Sequence, residues 1–336
     1  MRVAALLLLS AIAACREAAE ARSLVARAPA RDYVETGSST EGLSRVRTII
    51  GFDGPESVRY DAEQDVFFVS NIAGFGSHKD NNGYIVRVSA SNPDSAGVFV
   101  AGGAGGITMH APKGMAIQGD TLWVTDIDVV RGFDRRTGAS VGSIDFSAYS
   151  PIQLNDIAVG PDGLRITDTG IYMVYEGNVH TGPDKLFGVS AGRHVSLLLQ
   201  APDLRQPNGI TWDDTRKRWL IVSFDRFTGD IWSPGASTDS LGHAIRRGKG
   251  QLDGIEILRG GTPVFSSWAD SSIHALSADR EVQLVREVPE PADIGIDTRR
   301  GRLLIPLSIL GQVQIWDLGR WWTPGARANS PRPARD

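Results

Sequence analysis

Residues 154–168 read LNDIAVGPDGLRITD. The polar pair Asn155-Asp156 leads directly into the apolar run IAV, a Gly-Pro-Asp-Gly turn follows, and a second apolar run closes on Asp168. Two short apolar runs about a Gly/Asp turn read as paired strands. Polar side chains at the mouth of a buried strand cost free energy unless something pairs with them. The same unit recurs five more times: PESVRYDAEQDVFFVSN from Pro55, PKGMAIQGDTLWVTD from Pro112, PNGITWDDTRKRWLIVS from Pro207, LDGIEILRGGTPVFSSW from Leu252 and PADIGIDTRRGRLLIPL from Pro291. Their second residues are 57, 42, 53, 45 and 39 positions apart, the period of a four-stranded propeller blade with loop insertions in the longer units.

Working outward from these hairpins, YIVRVS after Gly83 and QVQIWDL after Gly311 supply third strands. Short segments before each next turn (VFVAG, SIDF, SLLLQ, HAIRR and QLVREV) supply fourth ones. No part of the chain after its leader offers a long amphipathic helix. The expected fold is therefore all-β, a six-bladed β-propeller over residues 44–322. The sixth unit stops after its third strand, and Val46 to Ile50 stands where every other turn is preceded by a strand. An N-terminal strand completing the last blade would close the ring and satisfy the sheet edges without a disulfide.

The ends read differently. Residues 1–21 form a secretory leader whose apolar core, VAALLLLSAIAA, is too short to span a bilayer comfortably. It ends either at a lipobox-like Ile12-Ala13-Ala14-Cys15, with lipidation of Cys15, or at an ordinary cleavage site after Ala19-Glu20-Ala21. Both outcomes export the protein, as a periplasmic protein or an outer-membrane lipoprotein. Cys15 is the only cysteine, so an internal disulfide is excluded. Residues 22–43 read as a tether and 323–336 as a disordered Pro- and Arg-rich tail. A net charge of -4 and a pI near 5.9 give nucleic acid no electrostatic footing as a partner. Contact with a membrane is expected only through a lipid on Cys15, and the protein is expected to be a monomer.

In a propeller the innermost strand of each blade runs along the central axis. The second residues of the six units are Glu56, Lys113, Asn155, Asn208, Asp253 and Ala292, which should converge at one end of it. Any one of these turns is explained by local chemistry, because Asn, Asp and Gly favour turns. As a ring they ask for more. Two carboxylates do not share a dry site without a positive partner, and oxygen donors of which two are anionic suit a hard cation such as Ca²⁺ or another divalent ion. No cysteine follows Cys15 and no HxH or HExxH spacing occurs, so zinc and copper are poorly supported.

The glutamate of GPES, the asparagines of LND and PNG and the aspartate of LDG together resemble the senescence marker protein/gluconolactonase superfamily. This family of calcium-dependent six-bladed hydrolases includes paraoxonases and diisopropylfluorophosphatase. The likeness covers roughly residues 45–318, and LNDIAVGPDG is especially similar to the third blade of paraoxonase. It implies that Glu56, Asn155, Asn208 and Asp253 ligate one catalytic Ca²⁺. Lys113 departs from the pattern, standing where a paraoxonase-like enzyme has a histidine near the active site. It is read as an anion-binding group in the pocket, as a partner of Glu56 that replaces part of the metal's charge, or as a lysine whose amine reaches out of the channel. Asp156 matches one ligand of a second, structural calcium in paraoxonases, but Ser57 replaces the acidic residue beside the glutamate, so no second ion is expected.

The implied chemistry is Lewis-acid hydrolysis of a small-molecule lactone or ester. Asp253 would assist water as base or nucleophile, with Asp293 as a second acid and Lys113 as a third catalytic candidate. His110 stands before the second turn, where a pocket-mouth residue would be; with His78, His180 and His274 it is read as an ordinary surface histidine. Asp126 and Asp168, which end second strands, are read as turn formers. The absence of GxSxG and of any strand-to-helix elbow argues against a serine triad, and GGAGG at 102–106 lacks the Lys-Ser/Thr of a phosphate loop. The alternative is a non-catalytic surface propeller that binds a ligand or a protein, its polar ring kept for stability. A condensing propeller of the strictosidine-synthase kind is disfavoured by the intact Glu/Asn/Asn/Asp set.

Overall fold

Each of the six units folds into one four-stranded antiparallel sheet in a computed structural model that describes residues 33–174, 177–234, 240–248, 250–277 and 280–322. The leader, Cys15 and the tail 323–336 lie outside the described residues. Blade 1 is Pro55–Asp61, Val66–Asn71, Tyr84–Ser89 and Ala96–Ala101, hydrogen-bonded in that order. The inner strands of blades 2 to 5 are Pro112–Gln118, Leu154–Gly160, Pro207–Asp213 and Leu252–Ile257. Blade 6 combines Gly295–Asp297, Arg302–Leu307 and Gln312–Asp317 with Ser44–Ile50 from the other end of the chain. The expected closure is present: Ser44–Ile50 runs antiparallel to Gln312–Asp317, with Ser44 opposite Asp317 and Ile50 opposite Gln312. Apart from four single 3-10 turns, the described residues hold no helix.

Residues 36–43 are folded against the last blades: Ser38 and Arg286 exchange two main-chain hydrogen bonds of 3.0 Å, and Leu43 is buried among side chains of blades 5 and 6. The long spacings of the repeat are insertions at the ring's end of the axis. Between the second and third strands, blade 1 carries the loop 72–83, and blade 3 carries an extra hairpin, Ile171–Val174 with Gly177–His180.

Alternation along each strand explains why the sequence shows unbroken apolar runs. Side chains of successive strand residues leave opposite faces, and in a propeller both faces of every sheet are covered. Val66 and Phe68 pack with Met115, Leu122 and Val124 of blade 2, whereas Phe67 and Val69 pack with Leu304, Val313 and Ile315 of blade 6. The core of the described residues is accordingly six clusters, one in each cleft between neighbouring blades.

A bulge recurs at the entrance of each of the first five inner strands. In blade 3, Leu154 faces Asp168 and Ile157 faces Ile166, so Asn155 and Asp156 together oppose the single residue Thr167. Blades 1, 2, 4 and 5 repeat the shift opposite Ser70, Thr125, Val222 and Ser266. A bulge leaves main-chain groups out of the ladder, and here hydroxyls answer them. Thr167 Oγ1 accepts from the Asp156 amide at 3.0 Å and donates to the Asn208 carbonyl of the next blade at 2.7 Å. Ser70, Thr125 and Ser266 likewise donate to the carbonyls of Lys113, Asn155 and Ala292. One hydroxyl thus closes a blade's own bulge and latches it to its neighbour.

Thr167→Val should therefore cost about 2–3 kcal/mol, because it strands a buried N–H and a buried carbonyl together. Urea unfolding should show this as a lower midpoint at unchanged slope, with Thr167→Ser recovering most of the loss. Wild-type stability in the valine variant would show that the hydroxyl does not close the bulge.

Candidate functional site at the propeller axis

The bulges decide where the ring residues point. Each re-aims the second residue of its strand toward the axis, which is why Glu56, Lys113, Asn155, Asn208 and Asp253 are all buried although they open their strands. Glu56 and Asn155 keep the largest openings, 8% each, while Lys113 is closed entirely. Third-position glycines let the inner strands approach. A Cβ on Gly114 would stand 2.4 Å from Asp156 Oδ1, and one on Gly254 2.6 Å from the Asp293 Cα.

Two of the expected ligands hold oxygen atoms with nothing to bind. Asn208 Oδ1 and Asp253 Oδ1 are buried without a hydrogen bond of normal geometry among the described residues, as is Asp293 Oδ1 just below; the Trp268 side chain comes near the Asp253 carboxyl without closing such a bond. Such groups are rare because each forfeits its solvation. Burial, then the charges of Glu56, Asp293 and Asp156, push the Asp253 carboxyl well above the ordinary range. Glu56 is raised to about 7 by burial, with Lys113 opposing and Asp293 adding to the shift. Two carboxylates and two neutral amides in this arrangement fit a hard divalent cation. Among the described residues no three His, Cys, Asp or Glu side chains group to hold an ion, so such a site depends on Asn155 and Asn208 as much as on the acids.

Lys113 is placed at the ring, but its amine is engaged elsewhere. Nζ donates to the Gly76 carbonyl at 2.9 Å and to that of Ala111 at 3.2 Å. With its amide oriented to suit its neighbours, Gln153 accepts the third bond at 3.0 Å and donates to Ser77 Oγ and the Ile171 carbonyl. Burial lowers the amine to about 8, against the pull of Glu56 and Asp126. Three N–H directions meet three acceptors, and these tie the loop 72–83 of blade 1 over blade 2 to the entrance of blade 3. Nothing in the loop's residues announced this anchor. His110 joins it by accepting from the Asn81 amide through Nδ1 at 3.1 Å, and Asn81 Oδ1 accepts from the Met109 amide at 2.8 Å. A groove of about 540 Å³ runs beside this loop, lined by Ser77, Lys79, Asp128, Pro151 and Tyr172.

Asp156 turns downward and takes two main-chain amides, Ile157 and, in blade 4, Ile210, both at 2.7 Å. Asp293 also lies under the ring, its Oδ2 accepting from Ser57 Oγ at 2.5 Å and from Arg59 Nη2 at 3.3 Å. Burial raises it to about 6, with Arg59 and Ser57 opposing. Arg59 escaped the sequence reading. Its one signal was a charge in an inner strand, two residues after Ser57 and therefore on the axial face. Asp126 and Asp168, expected to be turn formers, are instead buried braces: they accept the amides of Ala111 and Gln153, fifteen residues earlier, at 2.8 Å, and pair with Arg131 at 2.5 Å and Lys185 at 3.1 Å.

His180 pairs with Asp184 at 2.8 Å, and the His78 ring lies 5.2 Å from that of Phe75. His274 is less ordinary. Ser272 Oγ lies 2.6 Å from His274 Nε2, and Glu281 Oε1 3.0 Å from Nδ1, the spacing of a serine triad. Asp270 Oδ2, however, stands 2.9 Å from the same Nε2. Burial alone would lower the imidazole, but the bonds to Asp270 and Glu281 outweigh it and raise it to about 9. A ring that keeps both protons takes none from Ser272. The cluster is an ion pair that braces blade 5.

That pair makes a pH prediction. With a folded value near 9 and an unfolded one near ~6.5, His274 contributes its full stability below the unfolded value and loses it as pH rises through the folded one. The thermal midpoint of the wild type should fall between those limits, and His274→Gln should flatten the fall; parallel curves would show that His274 carries no such linkage.

No protein-family model matches the sequence, and no curated protein matches it. Solved structures do match the fold. A gluconolactonase from Xanthomonas campestris superposes with a TM-score of 0.62 at 14% identity, over 84% of this chain and 94% of that one. A luciferin-regenerating enzyme gives 0.60 at 12% identity, over 82% and 94%. A chain of a nidogen–laminin complex gives 0.52 at 14% identity, over 69% and 82%. At these identities the likeness concerns architecture, and in architecture the resemblance read from the sequence holds: this chain folds as the gluconolactonase and luciferin-regenerating-enzyme propellers do.

Proposed function

We propose that the chain is an exported hydrolase of a small lactone or ester that depends on a divalent cation, Ca²⁺ by the chemistry of its donors. The observation that carries this reading is the pair of unpartnered buried oxygens, Asn208 Oδ1 and Asp253 Oδ1, beside Glu56 at the axis. Glu56, Asn155, Asn208 and Asp253 would hold the ion. When bound, it supplies Lewis-acid polarisation of an ester or lactone carbonyl and stabilises the negative charge that develops on its oxygen.

The chain's own residues do the rest. Asn155 and Asn208 orient without adding negative charge. Asp253, a ligand through one carboxylate oxygen, would take a proton from the attacking water through the other. Asp293, tied to Ser57 and Arg59 below the ring, acts on Asp253 through its charge, which adds to burial and Glu56 in raising that carboxyl, and is the second acid of the site. Lys113 positions the loop 72–83 and adds positive potential near Glu56. A small-molecule substrate would approach from the ring's end of the axis, past the loop 72–83. The leader at 1–21 supports export, with lipidation at Cys15 or cleavage after Ala21 as its two forms.

The fold also serves a nidogen–laminin complex, so a binding module is the alternative reading. A metal-free ring held by a Lys113–Glu56 pair would favour it. Lys113 instead directs its hydrogen bonds to Gly76, Ala111 and Gln153, leaving Glu56 available to an ion.

Purified protein assayed against lactones and aryl esters should hydrolyse at least one of them, lose the activity with chelator and regain it with Ca²⁺. Asp253→Asn should raise the thermal midpoint of the chelated protein, since it removes an unpaired buried charge, while abolishing stabilisation by Ca²⁺. A protein that shows no midpoint shift with any divalent ion, and no hydrolysis with or without chelator, would leave the binding module as the surviving reading.

A further inference from the structure

Beneath the ring the channel holds a guanidinium for which the chemistry above has no use. Arg59 is the fifth residue of its inner strand, and its side chain crosses the axis. Nε donates to the Met115 carbonyl of blade 2 at 2.7 Å, Nη2 to Asp293 Oδ2 of blade 6 at 3.3 Å, and Nη1 to Glu256 of blade 5. Glu256 is itself a fifth residue. The other four fifth positions are Ala116, Ala158, Thr211 and Gly295, all small. At Gly295 a Cβ would stand 2.2 Å from the Val58 carbonyl, so nothing larger fits beside the crossing side chain's own strand. Arg59, Ala116, Ala158 and Thr211 line a cavity of about 290 Å³ at this level, and the Arg–Glu pair is the one charged pair among the fifth positions.

The electrostatics require what the geometry provides. Asp156, Asp293 and Glu256 all reach this level, and with Glu56 and Asp253 above them the axis carries five acids. Only Lys113 and Arg59 oppose them on the described inner-strand residues that face it. Burial works to strip the proton from Arg59; Glu256, Asp293 and Asp156, in that order, hold it on. A planar fork satisfies a carbonyl and two carboxylates in three directions at once, which a lysine amine at the same place does not.

We propose that Arg59 is the resident cation of the lower channel. It neutralises Asp293 and Glu256 and ties blades 1, 2, 5 and 6 across the axis. This role is independent of whether the ring above binds a divalent ion, and it makes Arg59 a positioning residue for Asp293.

In the full chain, Arg59→Ala should lower the thermal midpoint by about 5 °C, as expected when a partly buried pair loses one partner. Millimolar methylguanidinium should restore roughly half of that loss by binding the vacated space, leave the wild type unmoved, and act equally in an Asp253→Asn background, which separates the effect from the ring. A double variant, Arg59→Met with Asp293→Asn, should be more stable than Arg59→Met alone, because the neutral amide no longer needs a counter-ion. Rescue by methylguanidinium or by the paired substitution supports the assignment. Absence of both, or an Arg59→Ala variant as stable as the wild type, overturns it. If Arg59→Ala does not fold, the comparison of the two methionine variants decides.

Discussion

The bulge at the entrance of the inner strands is the constraint on which the rest of this propeller depends. Two residues of the inner strand oppose one residue of its partner, so regular pairing cannot both continue and keep every side chain on its expected face. The bulge turns the second residue toward the axis and frees main-chain groups in the tightest part of the molecule. A serine or threonine at the opposing position accepts one freed amide and donates to the carbonyl of the next blade. Local irregularity, inter-blade attachment and the aim of the axial side chains are consequences of one geometry. Where the hydroxyl is missing, opposite Val222, Gly209 lets the neighbouring strand come close enough that a Cβ would meet the Asp253 carbonyl at 2.4 Å.

At the axis this geometry concentrates acids faster than it concentrates bases. The two levels of the channel handle the excess differently. The lower level contains its own cation, Arg59, which engages Glu256 and, with Ser57, one oxygen of Asp293, leaving Asp293 Oδ1 bare. The upper level leaves Asn208 and Asp253 with unpartnered oxygens and spends the amine of Lys113 on anchoring a loop. A level that carries its own counter-ion is structural, and one whose acids lack a paired cation is where a charged ligand gains the most by arriving. The same contrast disposes of the Ser272–His274–Glu281 cluster, whose spacing suggests catalysis but whose extra carboxylate, Asp270, satisfies the imidazole completely.

Much of this was legible in the residues. Six recurrences of a two-residue entrance followed by an apolar hairpin define six sheets, and the missing strand of the last unit points to Ser44–Ile50. Period-2 alternation hid itself as continuous apolar runs because both faces of every blade are buried. The second positions Glu56, Asn155, Asn208 and Asp253 could be singled out because the repeat aligns them. Arg59 could not, since a lone charge in a strand acquires meaning only from what stands across the axis. Lys113 was visible as a departure, but its three readings depended on which acceptor lay nearest, and Gly76, Ala111 and Gln153 come from three separate stretches of chain.

The amino-acid sequence by itself determined the number of blades, the closing strand and the set of residues that ring the axis, because each is a property of periodicity and of the pairing that periodicity implies. Only the tertiary structure decided which of those residues are satisfied. Whether Asp293 meets a guanidinium, whether Lys113 meets Glu56 or a carbonyl, and whether an asparagine oxygen is left bare are matters of ångströms between residues far apart in the chain. Hydrogen bonds and charges in a dry interior are decided at that scale.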